Sequence, residues 1–166
     1  MGGRAKGLLV APDGLPIVER TLEIVRAASL TPFLVGDASA YMHLGVEGLD
    51  DAPPGIGPLG GLVALLRRAG DSCAIAIACD MPFVSSTLVE ALRDAPPAPV
   101  VAPRSDGRWE ALFARYDAST VLPMAEANAA AGEHSLQRLL ARAAAVELAV
   151  DDRIALRDWD SPEDAR

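Results

Sequence analysis

The sequence predicts an α/β fold of three layers, with helices on both faces of a mixed, mostly parallel sheet. Three observations predict it. Short apolar runs alternate with segments of helical periodicity along the chain. The run from Ser72 to Ala78 (SCAIAIA) is continuous and partly β-branched, the pattern of a strand covered on both faces. Turn-forming residues, Gly36-Asp37 and Asp80-Met81-Pro82, follow closely on two of the apolar runs.

Leu15 to Ala28 carries Ile17, Leu22, Ile24 and Val25 at helical spacing, with Pro16 acceptable in a first turn. Thr31 to Val35 (TPFLV) reads as a short strand running into Gly36-Asp37. Asp50 to Gly61, dense in proline and glycine, predicts irregular chain, and Leu62 to Arg68 a helix closed by Gly70. After the Ser72–Ala78 strand, a helix is expected from about Ser86 to Leu92, capped by Ser85 or Ser86. Pro99 to Ala102 and Glu110 to Tyr116 read as extended segments. Ser119 to Ala131 and Ser135 to Ala143 read as helices, and Val146 to Val150 as a last strand.

With 166 residues the chain is long enough for one domain with a real core. Half of it is apolar (51%), yet no run approaches the roughly 18 residues of a membrane span. The opening Met-Gly-Gly-Arg-Ala-Lys has no apolar signal region behind it, which predicts a cytoplasmic protein. A net charge of −8 argues against non-specific binding to nucleic acid or anionic membrane. Aromatics are only 4%, so the core must be built from Ala, Val and Leu. Cys73 and Cys79 flank one strand, too far apart for a disulfide and at no metal-binding spacing, so both are expected as small core residues.

In parallel α/β sheets, ligands sit at the carboxyl ends of the strands. That rule puts Gly36-Asp37 and Cys79-Asp80 on the functional edge. An acidic side chain directly after a buried strand suits magnesium, which prefers carboxylate oxygen and keeps waters and substrate phosphates as its other ligands. Asp80 equally suits a turn cap, and position alone leaves the two roles even. Met1 to Leu9 (MGGRAKGLL) offers Gly2, Gly3 and Lys6, backbone amides and a point charge that could meet phosphates. A solvated tail would look the same. Asp51 to Gly61 (DAPPGIGPLGG) could hold its backbone against a base or ribose, or be an ordinary crossover loop. His43 and His134 are isolated and read as surface or loop residues. Arg104, Arg108 and Asp152-Arg153 read as solvated faces.

In order, Met1-Gly2-Gly3 with Lys6-Gly7, Asp51 with Pro54-Gly55 and Gly57-Pro58-Leu59-Gly60-Gly61, Cys79-Asp80-Met81-Pro82, and Asp158-Trp159-Asp160-Ser161-Pro162-Glu163 resemble the motifs of the molybdenum cofactor guanylyltransferases. The resemblance covers nearly the whole chain and implies one Rossmann-like nucleotidyltransferase domain. Three positions depart from the family pattern: Ala5 stands where it has Asp, and Asp158 and Asp160 where it has Asn. The family pattern also has a strand and a Leu-Ala-Gly-Gly loop ahead of the position of Met1, which leads us to expect roughly 15–20 further upstream residues in the physiological protein.

The resemblance implies transfer of GMP from GTP to the terminal phosphate of molybdopterin, with release of pyrophosphate. It implies Asp80 as the Mg2+ ligand and Lys6 as the residue that stabilises phosphate charge. Gly2, Gly3, Gly36 and Asp51 or its neighbour Asp50 would help bind the nucleotide. Molybdoenzymes or cofactor-insertion proteins are the implied partners. The alternatives are a cytidylyl- or sugar-nucleotide transferase of the same architecture and a non-catalytic nucleotide-binding relative.

Overall fold

A computed structural model describes residues 6–150 together with Leu156 and Trp159. Helix α1 (Ile17–Ala27) buries Ile17, Val18 and Leu22. It leads to β1 (Leu34–Val35), which lies parallel to β2 (Gly48–Leu49), with a 3-10 turn at Ser39–Leu44 between them. Then come α2 (Pro58–Ala69), β3 (Cys73–Ile77), α3 (Ser86–Asp94) and β4 (Val100–Ala102). A hairpin of β5 (Arg104–Ser105) and β6 (Arg108–Trp109) precedes β7 (Phe113–Asp117). Helices α4 (Ala118–Ala130) and α5 (Leu136–Arg142) and strand β8 (Val146–Glu147) follow.

The main sheet has the order β3-β7-β4-β8. β7 runs antiparallel to both β3 and β4, while β4 and β8 are parallel. Strands β3, β4 and β8 therefore share one direction and β7 opposes them, which makes the sheet mixed.

Side chains that alternate along the strands divide the core between two faces. On one face Ala74, Val100, Ala102, Ala114 and Tyr116 meet Leu59, Val63 and Leu66 of α2, Val121 and Ala125 of α4, and Leu139 and Leu140 of α5. On the other, Val101 and Phe113 meet Val89 and Leu92 of α3 with Met81 and Val84. Helices cover both faces, so the three-layer reading holds.

Arg115 shares the α3 face with Phe113 and is buried. Its guanidinium donates to the carbonyls of Arg93 (3.1 Å), Ala95 (2.6 Å) and Pro96 (2.6 Å). Those carbonyls lie at and just past the C-terminal end of α3, where a cation complements the helix dipole. Reading Glu110–Tyr116 as an extended segment gives no hint that this arginine is buried.

Two expectations are corrected. Helix α2 begins at Pro58, four residues before Leu62, because proline is preset for a first helical position. Gly60 and Gly61 sit inside that helix to admit the preceding loop. A Cβ at Gly60 would lie 2.5 Å from the Pro53 carbonyl oxygen, and one at Gly61 3.0 Å from Val35 Cγ1. The glycines serve close packing here. The second correction concerns the cysteines: both are free, as expected, but exposed rather than in the core. Cys73 opens β3 at the rim of the sheet, and Cys79 falls beyond the strand's last residue.

Candidate functional site

β3 ends at Ile77, and Ala78 N–H then donates to Leu112 O at 2.7 Å, which anchors the turn that presents Asp80. The Asp80 carbonyl accepts from Trp159 N–H at 2.8 Å. Lys6 reaches the Asp80 carboxylate across 74 residues of sequence, with Nζ 3.0 Å from Oδ2. The Asp80 side chain is 19% exposed and that of Lys6 37%, so water screens the pair less than it would a surface pair.

Lys6 is held by its neighbour. Gly7 N–H donates to the Tyr41 hydroxyl at 3.2 Å, and a Cβ at Gly7 would meet that oxygen at 2.8 Å. Burial is the main cause that raises the Tyr41 hydroxyl above its ordinary pKa, with nearby Cys79 adding to it. Although Cys79 is exposed as a residue, loss of water around its sulfur and then the Asp80 carboxylate push its thiol up, against the pull of Lys6. At neutral pH it is a thiol, a poor nucleophile.

Gly36 and Asp51 form a second grouping. Gly36 follows β1 with φ +88, and its N–H donates to Leu49 O at 2.9 Å. Asp51 follows β2, and its Oδ1 lies 3.6 Å from where a Gly36 Cβ would stand and 3.2 Å from the Gly61 equivalent. The carboxylate thus sits between the turn after β1 and the first turn of α2. Asp50 is exposed. Asp37 accepts from Ser39 N–H at 3.0 Å, and its hydrogen bonds to Ser39 hold its carboxyl below the usual range.

A cleft of about 440 Å³ opens beside Asp80, lined among others by Pro58, Arg108, Glu110, His134, Ser135 and Gln137. Lys6, Gly36 and Asp51 are not among its lining residues, so the candidate residues fall into two neighbourhoods, with Asp80 bordering the cleft. Arg108 and His134 are exposed, as expected, yet both border this cleft. Reading them as a solvated face and an isolated loop residue missed that they converge with Gln137. One signal was available: Asp106-Gly107 is a hairpin dipeptide, and its two residues have φ +48 and +77.

Gly2 and Gly3 lie outside the described residues, as do Asp158, Asp160 and the residues after it. Trp159 is buried, edge-on to Phe83 with ring centres 6.0 Å apart. No described helix is long and apolar enough to cross a membrane.

Residues 1–147 match the family model of the MobA-like NTP transferase domain. The chain is 36% identical over 169 residues to a molybdenum cofactor guanylyltransferase of Pseudomonas putida, covering 98% of this chain and 87% of that one. Among solved structures it resembles molybdopterin-guanine dinucleotide biosynthesis protein A from Archaeoglobus fulgidus, with a TM-score of 0.78 and 23% identity, covering 98% of this chain and 88% of that one. It also resembles 2-C-methyl-D-erythritol 4-phosphate cytidylyltransferase from Thermus thermophilus, with a TM-score of 0.72 and 19% identity, covering 96% and 90%.

Proposed function

The chain belongs to the MobA-like NTP transferase family, and from that premise we propose that it transfers GMP from GTP to molybdopterin in the cytoplasm. The observation that carries this reading is the Lys6–Asp80 pair, a cation and a carboxylate brought together at the end of β3. An oxygen of the acceptor's terminal phosphate attacks the α-phosphorus of GTP and forms the new P–O–P link. The bond to the β-phosphate breaks, and pyrophosphate leaves with that bond's electron pair. The attacking phosphate is already ionised, so no general base is needed. What the site must do is align two anions and offset their charge.

Asp80 fits a magnesium site of the kind that uses few protein ligands. Among the described residues no three His, Cys, Asp or Glu gather into a ligand cluster. A single carboxylate with room for waters and substrate phosphates suits Mg2+, which dehydrates reluctantly. Bound there, the ion would offset the charge of the triphosphate. Lys6 turns from Asp80 toward the phosphates and offsets their charge from the other side. Asp51 accepts from the N1–H and N2–H edge of guanine, and the Gly36 backbone lies against the base or ribose. The acceptor's phosphate enters the cleft beside Arg108, whose guanidinium supplies the positive charge of the lining, with His134 at the same border.

The cytidylyltransferase of the same fold shows that architecture alone does not choose the base, so the test must. Purified protein with Mg2+, molybdopterin and either GTP or CTP should release pyrophosphate with GTP only. Release with CTP alone would move the assignment to a cytidylyltransferase. Release with neither, from protein that binds GTP, would leave a nucleotide-binding relative.

A further inference from the structure

The hairpin that carries Arg108 is bonded within itself and, at Trp109, both packs against the core and is hydrogen-bonded by a side chain of α5. Arg104 pairs with Trp109, and Ser105 with Arg108, across a turn at Asp106-Gly107. The Arg104 guanidinium lies 4.6 Å from the Trp109 ring centre and donates to Gly107 O at 2.9 Å. The hairpin is thus one small body, with its backbone continuing through Glu110, whose N–H donates to Pro103 O at 3.0 Å.

Gln137, on the first turn of α5, makes two hydrogen bonds to the backbone of one hairpin residue. Its Oε1 accepts from Trp109 N–H at 3.0 Å, and its Nε2 donates to Trp109 O at 2.7 Å. The amide therefore does what a neighbouring strand would do, pairing both polar groups of Trp109. Both groups are partly buried, and no apolar side chain of similar size could meet them. Gln137 also lines the cleft next to Arg108.

We propose that Gln137 is a positioning residue, which clamps the Arg104–Trp109 hairpin to α5 and thereby fixes Arg108 over the cleft as the ligand of the acceptor's phosphate. The inference rests on the reading of that cleft as the acceptor site. A phosphate contact gains from a guanidinium held in place, because ordering a free arginine on binding costs affinity. Loss of the clamp lets the hairpin, and Arg108 with it, sample positions that miss the phosphate.

The test uses the full chain with GTP, Mg2+ and molybdopterin, comparing wild type with Gln137→Leu, Arg108→Ala and the double variant. Gln137→Leu should raise the KM for molybdopterin about tenfold while leaving the KM for GTP and kcat at saturation near wild type, the scale of one charge-assisted contact. Arg108→Ala should do the same, and the double variant should be no worse than either single one, because both remove one contact. Gln137→Glu supplies a second arm. Ionised, it lacks the donor for Trp109 O; protonated, it regains one, so its KM should approach wild type as pH falls. Amide hydrogen exchange at Trp109, measured without substrates, should quicken at least tenfold in Gln137→Leu.

Unchanged exchange at Trp109 would overturn the clamp, whatever transfer shows. Faster exchange with unchanged KM in Gln137→Leu, beside a raised KM in Arg108→Ala, would overturn the link from clamp to acceptor. An unaffected KM in Arg108→Ala would instead remove the cleft as acceptor site, and absence of transfer in wild type would remove the proposed activity.

Discussion

Helices α3, α4 and α5 each start on a side chain that closes their own first turn, whereas α1 and α2 do not. Ser85, Asp117 and Ser135 accept from the N–H groups of Leu88, Thr120 and Arg138. Helix α1 starts after Pro16 and α2 after Gly57, neither with a side-chain cap. The later half of the chain satisfies its exposed backbone donors from within, at about 1 kcal/mol per cap. The earlier half leaves the start of α2 without a side-chain cap, although the Asp51 carboxylate lies beside its first turn. The contrast frames a division to test: the nucleotide-binding roles proposed above fall on residues before 81, and the better-capped half after it also carries Arg108, His134 and Gln137 of the cleft.

The strongest way to break this division is at Asp80. Asp80→Asn keeps the volume and the turn but removes the charge that faces Lys6. Turnover of GTP should fall by about 10²–10³, the scale for removing one preorganised electrostatic partner at a transition state. Thermal unfolding should shift little, since the pair is only partly shielded. Pyrophosphate release at saturating Mg2+, with a melt of the same sample, reads both. A large loss of stability with little loss of rate would make Asp80 a scaffold residue and reverse the assignment.

A smaller effect is expected at Asp51. Removing its carboxylate should weaken GTP binding by about 1–3 kcal/mol, the scale of a bidentate contact to a base edge. ITP lacks the exocyclic amino group and should lose less. Calorimetry of both nucleotides against wild type and Asp51→Ala separates base reading from packing. Equal losses for the two would leave Asp51 a support for Gly36 and Gly61.

Arg115 tests the other half. Arg115→Met retains bulk on the α3 face but leaves the carbonyls of Arg93, Ala95 and Pro96 without their donor. Stability to urea should drop by about 1–3 kcal/mol, the cost of a buried polar group left unsatisfied. Turnover per folded molecule should stay at the wild-type level. A specific loss of turnover would mean that the scaffold half couples to the chemistry.

The same division explains what could be read from the sequence. The layers, the β3 strand, a serine cap at Ser85 or Ser86 and a helix beginning about Ser135 follow from periodicity and from local hydrogen-bonding chemistry, which operate within a few residues; the caps are Ser85 and Ser135. Cys79-Asp80 was legible as a strand-end motif, but its partner Lys6 is 74 positions away, and only folding brings the two together. The spacing of Asp50 and Asp51 could not tell their surroundings apart; in the fold Asp51 turns to Gly36 and Gly61 while Asp50 faces water. The cleft was the least legible part. Arg108, His134 and Gln137 come from a hairpin, a loop and a helix, and each alone has the composition of ordinary surface. Cys73 and Cys79 misled because a cysteine beside an apolar run resembles core, and chain direction at the strand's ends turned both outward.

The smallest expected effect lies at Asp117, and it checks the scaffold reading without touching a ligand. Its carboxylate accepts from Thr120 N–H at 2.9 Å and from the Ser119 hydroxyl at 2.7 Å. The Ser119 hydroxyl first, and then the Thr120 amide, hold its carboxyl below the usual aspartate range. Asp117→Ala should cost about 1 kcal/mol, the ordinary worth of an N-cap, and lower Tm by a few degrees in a domain of this size. A folded pKa below the unfolded one means that the charged form is favoured by folding. The stabilisation is therefore complete above the unfolded value of about 3.9 and is lost as pH falls through the folded value. The wild type and Asp117→Ala should differ fully at pH 7 and converge below about pH 4, while Asp117→Asn, which keeps an acceptor but cannot ionise, should give a gap to wild type that narrows in the same window. Melts of the three proteins between pH 3 and pH 7 measure this directly, with GTP turnover at pH 7 expected to be equal in all of them. A gap that stays constant with pH would show that the carboxylate's charge contributes nothing to the cap and that its shape alone holds the start of α4.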